Sequence, residues 1–280
     1  MDAPTLESKD LLIRGVRVRY AEAGRGAPVI LVHGFLVSGR AWHPVIAALA
    51  ERYRVIVPDL PGFGESEKPA TFRYDREGFA DTICDVMAGL DVPRAHVVGH
   101  SYGGAVSLVL AADHPERVDR LALINTLSYP FEMPFSARAA LFPVVGPILF
   151  KQLYGRAVFH SYFRNSVFAS GFAYDRTAVD AYYDAFKTAD AREAAYRVLP
   201  NTSDLTSLVP KIGRVRAPTL VVWGENDPMF PVALGMRLAR DLQRARLETI
   251  PGVGHAPAEE SPARTAELLL RHFDSPLEAR

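Results

Sequence analysis

The 280-residue chain is 49% hydrophobic and 23% charged, ordinary globular usage that excludes a disordered, fibrous or collagen-like protein. Its 32 basic residues balance 32 acidic ones, so no net field draws it to nucleic acid or anionic lipid, and no local basic patch stands out. A lone cysteine, Cys84, permits neither an internal disulfide nor a zinc cluster. The acidic start, Met1 to Glu7, lacks the basic and apolar regions of a signal peptide. Together these predict a cytoplasmic protein. The most apolar run, Ala139 to Phe150, is interrupted by Pro143, Gly146 and Pro147 and falls short of the roughly 20 residues a membrane span needs, so no stable membrane association is expected.

Taken in chain order, Asp10 to Ile13 and Val16 to Glu22 flank Arg14-Gly15 and read as a hairpin, the second segment alternating Val16, Val18 and Tyr20 with Arg17 and Arg19. Pro28 to Val32 then forms an unbroken apolar run, as expected of a strand buried on both faces of a mainly parallel sheet. Similar runs recur at Tyr53 to Val57, Ala95 to Val98, Leu121 to Ile124, Thr219 to Trp223 and Leu247 to Ile250. Helical patterns lie between or after them at Ala41 to Leu49, Asp75 to Leu90, Tyr102 to Asp113, Pro231 to Leu242 and Glu259 to Phe273. This alternation predicts an α/β fold, a doubly wound, mostly parallel sheet of about eight strands. The alternation fails between Ser128 and Leu205, where aromatic-rich helical segments such as Asp175 to Thr188 replace strands. The expected organisation is therefore a core of residues 1–127 and 206–280 with a helical cap, 128–205, inserted at the sheet rim, where open α/β folds place their ligands.

Gly99-His100-Ser101-Tyr102-Gly103 is a G-x-S-x-G run between an apolar strand and a helical pattern. Small flanking residues let such a serine adopt a strained backbone and project its hydroxyl, and the helix start beneath it favours developing negative charge. A serine hydroxyl is a weak nucleophile near neutral pH, so the chemistry demands a base to take its proton and an acid to orient that base. Candidates stand downstream, each just past a strand: Asp227 and Glu225 on the turn Gly224 to Pro228, and His255 in the loop Pro251 to Pro257.

Ser101, a downstream acid and His255, in that chain order, resemble the nucleophile elbow and triad of the α/β-hydrolase fold family, and the likeness extends over nearly the whole chain. The resemblance selects Asp227 over Glu225. His33-Gly34-Phe35 is similar to the family's oxyanion loop, which implies that the backbone amides of Phe35 and Tyr102 form the oxyanion hole. Pro58 to Ser66 resembles a loop of the capped branch, which holds haloalkane dehalogenases, epoxide hydrolases, cofactor-free perhydrolases and serine esterases. Dehalogenases and epoxide hydrolases of this type carry an aspartate where this chain has Ser101, which argues against both activities. The resemblance implies a serine hydrolase that cleaves an uncharged, moderately hydrophobic carboxylic ester without metal or organic cofactor. A carbon–carbon hydrolase or a perhydrolase with the same triad is the alternative, although carbon–carbon hydrolases carry a glycine-richer oxyanion loop than His33 to Val37. From another class, a slow-turnover small-molecule sensor remains open.

Other residues read more plainly. His33 and His100 are expected to orient loops, and Asp59 to hydrogen-bond within its own proline- and glycine-rich loop. Asn125 stands where some relatives keep their acid, but an amide carries no charge. Cys84 falls on a helix whose apolar positions repeat at helical spacing and reads as a buried structural thiol. Phe131, Met133, Phe135, Leu141, Phe142, Val144, Val145, Ile148, Leu149, Phe150, Tyr154, Phe159, Tyr162 and Phe163 are expected to pack the cap onto the sheet or to line an apolar pocket for a small molecule. A monomer or homodimer is expected.

Overall fold

The computed structural model describes residues 6–131, 141–142 and 145–275. Met133, Phe135, Val144 and the side chain of Leu149 lie outside them. Eight strands form one sheet: β1 (Glu7–Ile13), β2 (Val16–Ala23), β3 (Ala27–Val32), β4 (Tyr53–Pro58), β5 (Ala95–His100), β6 (Val118–Ile124), β7 (Thr219–Gly224) and β8 (Ala245–Ile250). Their order is β1-β2-β4-β3-β5-β6-β7-β8, with β1/β2 and β2/β4 antiparallel and the remaining pairs parallel. The first hairpin closes with Ile13 opposite Val16, and Arg14 and Gly15 both have positive φ (48° and 81°), the backbone that a two-residue type I′ turn requires.

The apolar runs of β3 to β7 are largely buried on both faces, whereas Leu247 to Thr249 on the edge strand β8 are only partly buried, and the core side chains divide by the period of two that a pleated strand imposes. Ile30, Val32, Val97, Leu121, Leu123, Val221 and Trp223 join one core, with α2 (Arg76–Gly89) and α3 (Tyr102–Asp113). Their strand neighbours Val29, Leu31, Val98, Ala122, Ile124, Leu220 and Val222 join the other, with α1 (His43–Ala50) and the C-terminal helix.

Between β6 and β7 the described elements are helical: α4 (Val145–Ile148), a π-helical turn Leu149–Leu153, α5 (Arg156–Tyr162), a second π-helical turn Phe163–Val167, α6 (Arg176–Phe186) and α7 (Ala189–Val198). They are followed by the short α8 (Val209–Ile212), which packs against α3. Phe150, Phe159 and Phe163 are buried, whereas Phe142, Val145 and Ile148 are about half exposed, at 53%, 51% and 48%. Those three therefore depart from the expectation that they pack or line a pocket.

After β7 comes α9 (Val232–Asp241). The continuous helix predicted over Glu259 to Phe273 is instead two, α10 (Pro257–Glu260) and α11 (Pro262–Asp274). Pro262 disfavours helical backbone at Ser261, which sits at φ −143° and ψ 64°. That break leaves Glu259 and Glu260 on a single turn beside His255.

Candidate active site

Ser101 occupies the turn between β5 and α3 at φ 53° and ψ −119°, a strained backbone of the kind that costs about 1–3 kcal/mol and persists only where its surroundings over-determine it. Here they do. Its amide donates to the Ile124 carbonyl of β6 (3.0 Å), and its carbonyl accepts from Gly104 (3.0 Å) and Leu127 (3.1 Å).

The Ser101 Oγ lies 2.9 Å from His255 Nε2, and His255 Nδ1 lies 2.8 Å from Asp227 Oδ2. Asp227 follows β7 and His255 follows β8, so adjacent parallel strands deliver both loops to the rim that carries Ser101. The carboxylate fixes the tautomer: Nδ1–H donates to Asp227, leaving Nε2 to accept the serine proton. The Asp227 side chain is fully buried. Burial would raise its pKa, but the attraction of His255 and the hydrogen bonds from His255, Asn125 and the Phe230 amide outweigh that and hold it below the usual carboxylate range. Its Oδ1 accepts from the amides of Met229 (2.7 Å) and Phe230 (3.0 Å). Glu225 is exposed and accepts from the Thr249 hydroxyl (2.7 Å), apart from this chain of bonds.

The loop His33-Gly34-Phe35 runs beside the serine, and a Cβ built on Gly34 would stand 3.2 Å from the Ser101 Cβ. Buried His33 is kept neutral because burial lowers its pKa. Its Nε2 accepts from the Leu60 amide (3.0 Å), so Nδ1–H donates to the Gly34 carbonyl (2.8 Å), and the ring holds the loop as expected. Asp59 accepts from the Gly39 amide (2.7 Å) and from Glu65 within its own loop (2.8 Å). The Phe35 and Tyr102 amides donate to no acceptor among the described residues, and Tyr102 is the first residue of α3, where backbone N–H groups lack helical partners.

Aromatic side chains surround this polar line. Phe230 meets the His255 ring edge-on at 5.0 Å, and Phe35 stacks with Phe150 from the helical insertion at 6.4 Å. Among the described residues, no group of three histidine, cysteine, aspartate or glutamate side chains is placed to hold a metal ion.

The roles of Asn125 and Glu260 escaped the sequence, whereas His100 orients a loop as expected. Asn125 Nδ2 donates to Asp227 Oδ2 (2.6 Å) while its Oδ1 accepts from the Gly224 amide (3.2 Å), so the amide beside the acid is its partner. His100 Nε2 donates to the His255 carbonyl (2.6 Å), and burial, with the His255 charge adding to it, pushes the His100 pKa down to about 3. Glu260 binds the amides flanking His255. Of Asn125 and Glu260, only the position of Asn125 at a strand end signalled anything in advance.

With that geometry in hand, the family model described as alpha/beta hydrolase fold matches residues 27–262. The chain belongs to the α/β-hydrolase fold family. It is similar to a 2-hydroxymuconate semialdehyde hydrolase of a Pseudomonas species, 29% identical over 93% of this chain and 92% of that protein. It is also similar in structure to a meta-cleavage product hydrolase of Pseudomonas fluorescens, with TM-score 0.80 and 26% identity over 95% of this chain and 97% of that one. A bacterial membrane phospholipase A matches with TM-score 0.81 and 27% identity, covering 96% of this chain and 86% of that one. No helix among the described residues is long and apolar enough to cross a membrane.

Proposed function

We propose that this α/β hydrolase is a serine hydrolase that cleaves a carbon–carbon bond next to a carbonyl in a small ring-fission product, with Ser101 as nucleophile, His255 as base and Asp227 as orienting acid. The reaction class rests on the bonded line from Ser101 Oγ through His255 to Asp227. The bond class rests on the relatives named as semialdehyde and meta-cleavage product hydrolases. His255 takes the Ser101 proton as Oγ attacks the carbonyl carbon, and the oxyanion lies between the Phe35 and Tyr102 amides. Removing one such donor costs about 3 kcal/mol of barrier in comparable sites. The leaving carbon departs as a conjugated enolate and takes a proton from the imidazolium. Water, deprotonated by the same ring, then frees the acid from Ser101. The insertion at 128–205 acts as the cap, a reading supported by the stacking of Phe150 on Phe35 of the oxyanion loop.

The carboxylic ester expected from the sequence becomes the second reading. The likeness to a phospholipase A and the single glycine within His33 to Val37 favour it. A vinylogous diketone acid and a series of p-nitrophenyl esters, offered to wild type and Ser101→Ala, separate the two. The expected outcome is turnover of the diketone and a loss of about 10⁴-fold or more in the mutant. Turnover of esters alone promotes the second reading, and undiminished activity in Ser101→Ala sinks both.

A further inference from the structure

The loop that carries His255 is held by contacts from outside itself. The Glu260 carboxylate accepts from the amides on either side of the histidine, Gly254 (2.9 Å) and Ala256 (3.0 Å). The same carboxylate accepts from the Ala169 amide (2.8 Å), which lies two residues past the second π-helical turn of the insertion. The His255 amide itself donates to the Val167 carbonyl (2.7 Å), and the His255 carbonyl accepts from His100. The two strands of chain meet so closely that a Cβ on Gly254 would stand 2.3 Å from the Ala169 nitrogen and 2.8 Å from the Phe168 carbonyl carbon.

We infer that Glu260 is a positioning residue for His255, and that through it the segment Val167 to Ala169 forms a fixed foot that seats the insertion on the base. The inference rests on the reading of His255 as the base. Three N–H groups converge on one side chain, and an ionised carboxylate has the lone pairs to accept all three. Charge-assisted bonds of this kind are roughly twice as strong as neutral ones. A glutamine in the same place turns its own N–H₂ toward at least one of those donors. With the carboxylate gone, the amides on both sides of His255 are left to solvent, and the ring loses the backbone frame that keeps Nε2 within reach of Ser101. The same connection dictates how the insertion moves: its Val167 to Ala169 end stays seated while any opening occurs elsewhere.

The test compares full-length wild type, Glu260→Ala and Glu260→Gln by two readouts. One is the low-field proton resonance of the His255 Nδ1–H, assigned by its loss in Asp227→Asn. The other is the rate at which a fluorophosphonate labels Ser101. A base displaced by about 1 Å costs on the order of a hundredfold. Glu260→Ala is therefore expected to label ten- to a hundredfold more slowly and to lose or broaden the resonance. Glu260→Gln is expected to fall between, with kcat reduced more than KM is changed. Labelling within twofold of wild type with the resonance intact in both variants overturns the inference. Should Glu260→Ala not fold, Glu260→Gln decides alone by the same criteria. A wild type that resists the phosphonate refutes the nucleophile reading, and the resonance then still decides whether Glu260 holds His255: its retention in the variants refutes the positioning role, its loss supports it.

Discussion

Asn125 shows how a single amide serves a charge it does not carry. Its Nδ2 donates to the Asp227 oxygen that also faces His255, while its Oδ1 is pinned by the Gly224 amide. It is fully buried, so no solvent replaces it. A hydrogen bond to a charged group contributes about 1.5–3 kcal/mol, and Asn125→Ala is expected to lower kcat about tenfold or more while leaving KM nearly unchanged. Steady-state kinetics on the substrate that wild type accepts checks this, and an unchanged kcat removes Asn125 from the site. The members of the bonded line from Ser101 through His255 to Asp227 were legible because local sequence marks them: Ser101 between glycines at a strand-to-helix turn, Asp227 and His255 in loops just past strands. Asn125 was visible as a position without a role, since the hydrogen bond that defines it joins residues 102 apart in the chain.

Among the elements, the short turn α10 makes the sharpest prediction. Glu259 on that turn accepts from the Tyr182 hydroxyl of α6 (3.1 Å), a second tie between the insertion and the His255 loop. Burial pushes its carboxyl up to about 8, and the neighbouring charges of Glu260 and Asp175 act in the same direction while the Tyr182 bond opposes them. A folded-state pKa raised above the unfolded value of 4.5 gives a contribution that is present below that value and lost as pH rises toward 8. Glu259→Gln should therefore melt higher than wild type at pH 9, by about 2 °C or more, with the difference closing near pH 4. Paired melting curves at the two pH values decide the matter; equal shifts at both would rule out the titration. Sequence periodicity placed a helix here but ran it straight through Ser261. The misreading came from weighing apolar spacing above the restriction that Pro262 puts on the residue before it. Cys84, by contrast, sits on α2 as read, though partly rather than fully buried, its thiol pushed up to about 11 by burial.

Across the whole molecule, burial lowers the pKa of several histidines: His100 and His272 to about 3, with His33, His43 and His96 shifted in the same direction. The unfolded chain takes up protons on these rings below about pH 6.5, whereas the folded chain does not until lower pH. Stability is therefore complete above that range and falls as pH drops from about 6.5 toward 3. Asp227, held low, extends the loss below the ordinary carboxylate value of 3.8. Thermal denaturation at pH 7.5 and 4.5 should show a decrease in Tm of at least about 4 °C, and a flat profile would contradict it. What the sequence alone determined were the features written in short-range pattern: apolar runs for a two-faced sheet, their alternation with helices, a helical insertion, and the placing of Ser101, Asp227 and His255, in that order, just past strands. Tertiary structure decided what depends on residues far apart in the chain. It set Asp227 rather than Glu225 against His255, gave Asn125 a partner, and seated Val167 to Ala169 on the His255 loop through Glu260. Those contacts join side chains, amides and carbonyls across the fold, and no residue type or local spacing encodes which group will arrive where.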